Sequence, residues 1–283
     1  MNHLKEGAFM TLTADALWLN SFFAGYDLGI LSFAHKMAEI AGVVLTPLNR
    51  IITLLGEKGL LFFLLAIVLM LFPRYRKTGV CIFGAVCCGA LITNIILKDH
   101  VARPRPYETV DLYRQWWEFV GAPAEDGFSF PSGHVTAAAA GVTSLCLFRG
   151  KKWFIPGAIW VLLMMFSRNY LMAHYPSDVL FALAIGVFSG FVAAWITQLI
   201  FRFLENRSGE GKFYDFVLYA GIEGKPSVKS FSSVSKSNRS SHRRSSESSV
   251  ADAEIKSARH AAPASSRSSK RGTSPSGSYQ GKH

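Results

Sequence analysis

The sequence predicts an all-α fold, a polytopic membrane helix bundle of five to six transmembrane helices with a disordered basic C-terminal tail. Three observations predict it. Half of the 283 residues are hydrophobic and the mean hydropathy is +0.24, although the last quarter of the chain is strongly polar. That balance belongs to the membrane class and not to a soluble domain. Five apolar runs follow one another between residues 59 and 201. The formal charge of +11 sits mostly at one end, because residues 225–283 carry twelve Lys and Arg against three acidic residues, a net of +9. A high pI of that origin describes a tail and not a basic groove, so no nucleic-acid partner is expected.

The elements follow in chain order. The first twenty residues carry no cleavable signal-peptide pattern. The region 1–58 has apolar stretches interrupted by Asp27, His35, Lys36, Glu39, Pro47 and Arg50. It reads as an amphipathic interfacial region or as a weak first span, which is why the count is five or six. The core, 59–205, holds the apolar runs 59–72, 80–97, 135–148, 153–166 and 179–201. Several are shorter than the roughly 20 residues that cross the hydrocarbon, so flanking polar residues must belong to the same helices. Polar groups in that position are expensive and usually functional.

The loops set the orientation. PRYRKTG (73–79) and RGKK (149–152) are short and basic, and the last run exits through Arg202 and Arg207. These regions are expected on the cytoplasmic side, with 98–134 and 167–178 facing outward. From 206 to 283 the chain is polar, and its Ser-, Lys- and Arg-rich end cannot bury enough apolar surface to order itself. The plain reading of this tail is a solvated extension, and the sharper one is a contact with the anionic inner leaflet. Cys81, Cys87, Cys88 and Cys146 all lie in apolar segments and read as small buried hydrophobes, not as metal ligands or disulfides. Trp116, Trp117, Trp153 and Tyr170 read as interfacial anchors.

Alternation of the runs brings three polar stretches to one end. The run 80–97 leads into Lys98 and Arg105, the run 135–148 starts after Pro131-Ser132-Gly133-His134, and the stretch before the last run holds Arg168, His174 and Asp178. Lys98, Arg105 and Arg168 supply three cations, two of them planar forks that match phosphate oxygens. Ser132 and Gly133 stand at a helix start, where free backbone N–H groups favour an anion. Cations without acidic neighbours in the motifs call for a bound anion. Arg103, in a second Arg-Pro pair, is a further sharer of this site. His174, oriented by Asp178, has the arrangement of an activated nucleophile, and His134 that of a general acid. Singly, each element has a bland explanation as cap, turn or snorkelling side chain; in this order and on one face they make a site.

Lys98-(six residues)-Arg105-Pro106, Pro131-Ser132-Gly133-His134 and Ser167-Arg168-(five residues)-His174-(three residues)-Asp178 resemble the three signature motifs of the type 2 phosphatidic acid phosphatase superfamily, which also includes the vanadium haloperoxidases. The resemblance covers about residues 59–201. It implies a metal-independent lipid phosphatase with no cofactor. In it His174 is the nucleophile, Asp178 orients it and His134 is the general acid; Lys98, Arg105, Ser132, Gly133 and Arg168 bind the phosphoryl group. The implied substrate is a lipid phosphate at the outer leaflet of a bacterial cell membrane. Undecaprenyl diphosphate comes first, with phosphatidic acid and phosphatidylglycerol phosphate as alternatives. A metal hydrolase fits poorly, because three cations repel a divalent ion. A haloperoxidase fits poorly with membrane spans. A non-catalytic lipid-phosphate binding or transport protein would need the cations but not both histidines and the Asp.

Overall fold

A computed structural model describes residues 12–208 and 217–218. The expectations for the tail at 225–283 lie outside the described residues. Within them the protein is helical, with ten α-helices and no strand. Helix α1 (Ala14–Phe22) is opened by Thr13, whose Oγ1 accepts the Ala16 N–H at 3.2 Å, an N-cap that satisfies one of the free donors of the first turn. The interrupted N-terminal region then forms α2 (Ala24–Leu55), a 32-residue helix whose backbone leaves helical values at Ala41, upstream of Pro47. The remaining helices are α3 (Leu60–Leu71), α4 (Arg76–Ala90), α5 (Lys98–Val101), α6 (Pro106–Thr109), α7 (Asp111–Val120), α8 (Gly133–Arg149), α9 (Phe154–Tyr170) and α10 (Pro176–Asn206). A π-helical segment, Leu91–Leu97, joins α4 to α5.

Three helical stretches are long and apolar enough to cross a membrane: Ala24–Leu71, Arg76–Thr109 and Pro176–Asn206. The chain is an integral membrane protein. The other two apolar runs give α8 and α9, each 17 residues. At 1.5 Å per residue that is about 25 Å, short of the roughly 30 Å hydrocarbon core. Length and composition alone thus mark three candidate spans among the described residues and leave the expected five to six as a proposal.

Helix α8 fills the middle of the bundle. Val135 and Ala137 to Ala140 are buried, and α8 packs against both α4 and α10. A Cβ at Gly186 of α10 would lie 2.5 Å from the Thr136 carbonyl oxygen and 2.6 Å from Ala139 Cβ, so only glycine lets these two backbones meet. Small residues here explain why α8 reads as a membrane helix although it is short. Large apolar side chains point outward instead, with Val43 94 % and Ile95 72 % exposed, the arrangement that suits a hydrocarbon solvent.

The basic turns share one end of the bundle. The Arg149 guanidinium lies over the Tyr75 ring at 4.4 Å, and Lys77 pairs with Glu205 at 2.5 Å. The opposite end collects the three motifs. Two packing expectations need correction. Cys81 is buried, but Cys87 is exposed and Cys88 and Cys146 are partly so; all four are free thiols. Tyr170 is no interfacial anchor: it is fully buried, and its hydroxyl is 2.8 Å from Thr46 Oγ1.

Candidate active site

The first motif is presented by a change of helix type. The π-helical segment carries Thr93, whose hydroxyl donates to the Gly89 carbonyl at 2.9 Å, and it delivers Lys98 at the start of α5. Such segments recur at functional sites because they shift the helix face locally. Ala102, in the left-handed conformation with φ 47°, then ends α5 and turns the chain inward. Arg105 is almost fully buried. Its Nε donates to Gly127 O at 3.0 Å, Nη2 to Asp126 O at 3.0 Å and Nη1 to Ala173 O at 2.8 Å. One guanidinium thus ties the loop 121–128 to the turn that carries His174.

Ser132 is the N-cap residue of α8, yet its side chain makes no cap hydrogen bond, and the buried Oγ has no partner. His134, one residue into α8, has its Nε2 buried and free of hydrogen bonds; the nearest anion is Glu57 Oε2 at 3.4 Å. The third motif begins in the last turn of α9. Arg168 is fully buried, with Nη1 at 3.5 Å from Thr53 Oγ1 and Nε unpartnered. Buried polar groups are normally satisfied. Three orphaned polar atoms on Ser132, His134 and Arg168 suit a ligand that brings its own acceptors. A cavity of about 1080 Å³ opens beside them, with Lys98, Arg105, Gly133, His134, His174 and Glu125 in its wall. Ser132 and Arg168 do not line it. The N-terminal region does, through Arg50, Thr53, Glu57 and Lys58, so residues before the core as read from sequence complete the site.

His174 lies in the turn after α9, past Met172 at φ 54°, and its Nδ1 is 2.6 Å from the Ser129 carbonyl oxygen. A carbonyl only accepts, so Nδ1 carries the proton and Nε2 keeps its lone pair. The direct His174–Asp178 hydrogen bond expected from the four-residue spacing is absent, since Asp178 Oδ2 is 4.0 Å from Nδ1. Asp178 reaches the histidine through Ser129 instead. Its Oδ2 accepts the Ser129 hydroxyl at 2.5 Å and the Tyr175 N–H at 3.0 Å. Ser129 precedes the second motif, and nothing in the sequence marked it.

Two charges were misjudged from sequence. Arg103 does not join the phosphate cations. It is fully buried, with Nη1 on Asp178 Oδ1 at 2.6 Å and Nη2 on Asp27 Oδ2 at 2.9 Å. The cations of the motifs are not without an acidic neighbour either. Glu125 pairs with Arg168 Nη2 and lies 3.1 Å from Arg105 Nη1. Its position in the loop 121–128, outside the motifs, hid this. Burial pushes the Glu125 carboxyl up, but Arg168 and Arg105 outweigh it and hold the group below the ordinary carboxylate range. Burial, with Arg168 and Arg105, holds His174 well below the usual histidine value. Burial and Arg168 push His134 down to about 3. In this charge environment both rings are neutral at pH 7.

The family model described as the PAP2 superfamily matches residues 78–202. An undecaprenyl-diphosphatase of Sulfolobus acidocaldarius is 26 % identical over 154 residues, which are 54 % of this chain and 72 % of that one. Undecaprenyl-diphosphatase BcrC of Bacillus subtilis is 30 % identical over 122 residues, 43 % of this chain and 60 % of the relative. Phosphatidylglycerophosphatase B of Haemophilus influenzae is 38 % identical over 128 residues, 41 % of this chain and 50 % of the relative. The chain thus spans from half to somewhat under three quarters of the length of these relatives. The matched interval begins in α4 and ends in α10, taking in all three motifs and the helices that present them, and over residues 78–202 the chain is similar to the PAP2 superfamily.

Proposed function

We propose that this chain is a metal-independent membrane lipid phosphatase that hydrolyses a phosphomonoester or diphosphate through a phosphohistidine on His174. The relatives are phosphatases and diphosphatases by name, and the undecaprenyl diphosphate of two of them is our first substrate for this chain. Phosphatidylglycerol phosphate and phosphatidic acid are the alternatives. The observation that carries the reading is the Nδ1–H of His174 committed to Ser129 O at 2.6 Å, which leaves Nε2 as a nucleophile beside buried Arg105 and Arg168.

The chemistry follows from these groups. Lys98, Arg105 and Arg168 hold the phosphoryl oxygens, with Ser132 and Gly133 adding the start of α8. His134 takes up a proton when the phosphate dianion settles among the cations; His174 Nε2 then attacks phosphorus as the bond to the leaving oxygen breaks, and the charged His134 gives that oxygen its proton and becomes neutral. Ser129 O and the Asp178 carboxylate behind it stabilise the positive ring of the intermediate. Water then attacks phosphorus, neutral His134 takes the proton from it, and phosphate leaves with His174 restored. The site faces outward in a bacterial cell membrane in this reading, with the basic turns inside.

Turnover of a lipid diphosphate labelled in its terminal phosphate, quenched during steady state, should leave an acid-labile, alkali-stable phosphoprotein. His174→Ala should abolish both label and turnover while the protein stays folded. His134→Ala should lose on the order of a hundredfold in rate. Turnover in His174→Ala, or a strict need for a divalent ion after chelation, would refute the proposal.

A further inference from the structure

Asp27 lies in the first turn of α2, outside the matched residues 78–202, on the buried face that continues with Leu31, Ala34 and Ala38. It is only 2 % exposed. A buried carboxylate is tolerated when it is paired and hydrogen-bonded, and in a membrane protein such a group is seldom there without a role. The pairing of Asp27 is complete. Oδ2 accepts Arg103 Nη2 at 2.9 Å and the Ser177 hydroxyl at 2.8 Å, and Oδ1 accepts the Ser177 backbone N–H at 2.8 Å. Ser177 is in the first turn of α10, where a carboxylate also meets the positive end of the helix.

Arg103 carries the contact onward. Nη1 donates to Asp178 Oδ1 at 2.6 Å and to Ser177 Oγ at 2.8 Å, Nε donates to Asn20 Oδ1 at 2.8 Å, and the guanidinium sits 3.7 Å above the Tyr175 ring. One cation therefore lies between two buried carboxylates, and every partner except Asn20 and Asp27 belongs to the turn of His174 or the residues just after it. Asp178 in turn holds Ser129, whose carbonyl holds His174 Nδ1. The path from the N-terminal helix to the histidine is Asp27, Arg103, Asp178, Ser129, His174, in which each link is a hydrogen bond or the residue that bears it.

We propose that Asp27 is a positioning residue of the hydrolytic reaction: through Arg103 and Ser177 it fixes Asp178, and so sets the ring of His174 for attack. This rests on the proposed roles of His174 and Asp178. It makes the N-terminal helix part of the working enzyme. Asp27 touches neither Arg105 nor Arg168, so it acts on the rate of the chemical step and not on anion binding.

The test uses the full chain purified in detergent, with lipid-phosphate hydrolysis and vanadate inhibition measured on each variant. Asp27→Asn keeps the size of the side chain but sets an amide N–H or a neutral oxygen against Arg103. It should lower kcat by on the order of tenfold, the scale usual for outer partners of a reactive group, with KM and the vanadate Ki unchanged. Ser177→Ala, a smaller change, should lower kcat in the same direction and by less. Combined with Asp178→Asn, neither substitution should reduce residual turnover further, because groups acting through one residue are non-additive. Unchanged kcat in Ser177→Ala or in folded Asp27→Asn overturns the inference. So does a parallel loss of kcat and vanadate affinity, which marks a general structural role, or full additivity with Asp178→Asn. Normal turnover in Asp178→Asn alone would instead overturn the underlying role of Asp178.

Discussion

Replacing Glu125 by Gln should tighten the binding of phosphate-like anions. The carboxylate lies between Arg105 and Arg168, within 3.1 Å of the first and in contact with the second. These are two of the three cations assigned to the phosphoryl group. A substrate phosphate that uses both forks must first take the place of the carboxylate. Hydrogen bonds to charged groups contribute about 1.5–3 kcal/mol each, and neutral ones roughly half as much. Gln offers one guanidinium a neutral oxygen and turns an N–H donor toward the other, which weakens the competitor by about 1 kcal/mol at each contact, or about 2 kcal/mol for both. The Glu125 side chain is 26 % exposed, so solvent already screens part of this attraction. At 1.4 kcal/mol per tenfold, the vanadate Ki of Glu125→Gln should fall by about ten- to thirtyfold.

The assay is inhibition of lipid-phosphate hydrolysis by vanadate and by inorganic phosphate, with thermal unfolding as the check on folding. The sign decides. If Glu125 competes with the anion, both inhibitors bind more tightly in Glu125→Gln and product inhibition sets in earlier. If Glu125 instead holds the two guanidinium groups in place for phosphate, both bind more weakly. A weaker or unchanged Ki in the folded variant refutes the reasoning.

Two further predictions concern protons and sidedness. Burial and the cations hold His134 at about 3 and His174 well below its usual value in the free protein. A bound dianion offsets Arg168, Arg105 and Lys98, so it raises both values, and binding must take up protons. Calorimetry of tungstate binding in buffers of different ionisation enthalpy should show proton uptake that grows as the pH falls from 8 to 6 and shrinks in His134→Gln; proton release, or uptake untouched by that substitution, would refute the charge assignment. For sidedness, single cysteines at the exposed positions Glu118 and Lys152, in a background without Cys81, Cys87, Cys88 and Cys146, should react from opposite faces of the membrane. Labelling of position 152 but not 118 by an impermeant reagent on intact cells would reverse the proposed orientation.

The bundle was legible where the information is local. The runs 80–97, 135–148 and 179–201 lie within α4 with its π-helical extension, α8 and α10, and the three motif stretches do meet at one end. Periodicity and loop charge report on a chain a few residues at a time, and that suffices for these features. It did not suffice for helix length, because α8 owes its apolar character to small residues that let it pack closely on α10. It also failed for the interrupted stretch at 14–55. Asp27 looked like a break in an amphipathic segment, whereas in the fold it is neutralised by a residue far along the chain. A charge inside an apolar run is ambiguous until its partner is known.

The same limit explains the cations. Their clustering without acidic neighbours in the motifs was read as calling for a bound anion, whereas the protein itself supplies three carboxylates. Asp27 and Asp178 on Arg103 are 3 % and 0 % exposed, while Glu125 on Arg105 and Arg168 is 26 % exposed. Removing either of the first two carboxylates breaks a fully buried ion pair with Arg103, a loss of several kcal/mol. Swinging Glu125 into solvent costs far less, and a phosphate that replaces it keeps both guanidinium groups paired. The depth of each carboxylate thus divides four arginines and lysines of similar sequence context into two kinds. Arg103 is permanently neutralised and serves the geometry of His174. Arg105 and Arg168, with Lys98 in the cavity wall, can exchange one anion for another, which is what binding and releasing phosphate in every cycle demands.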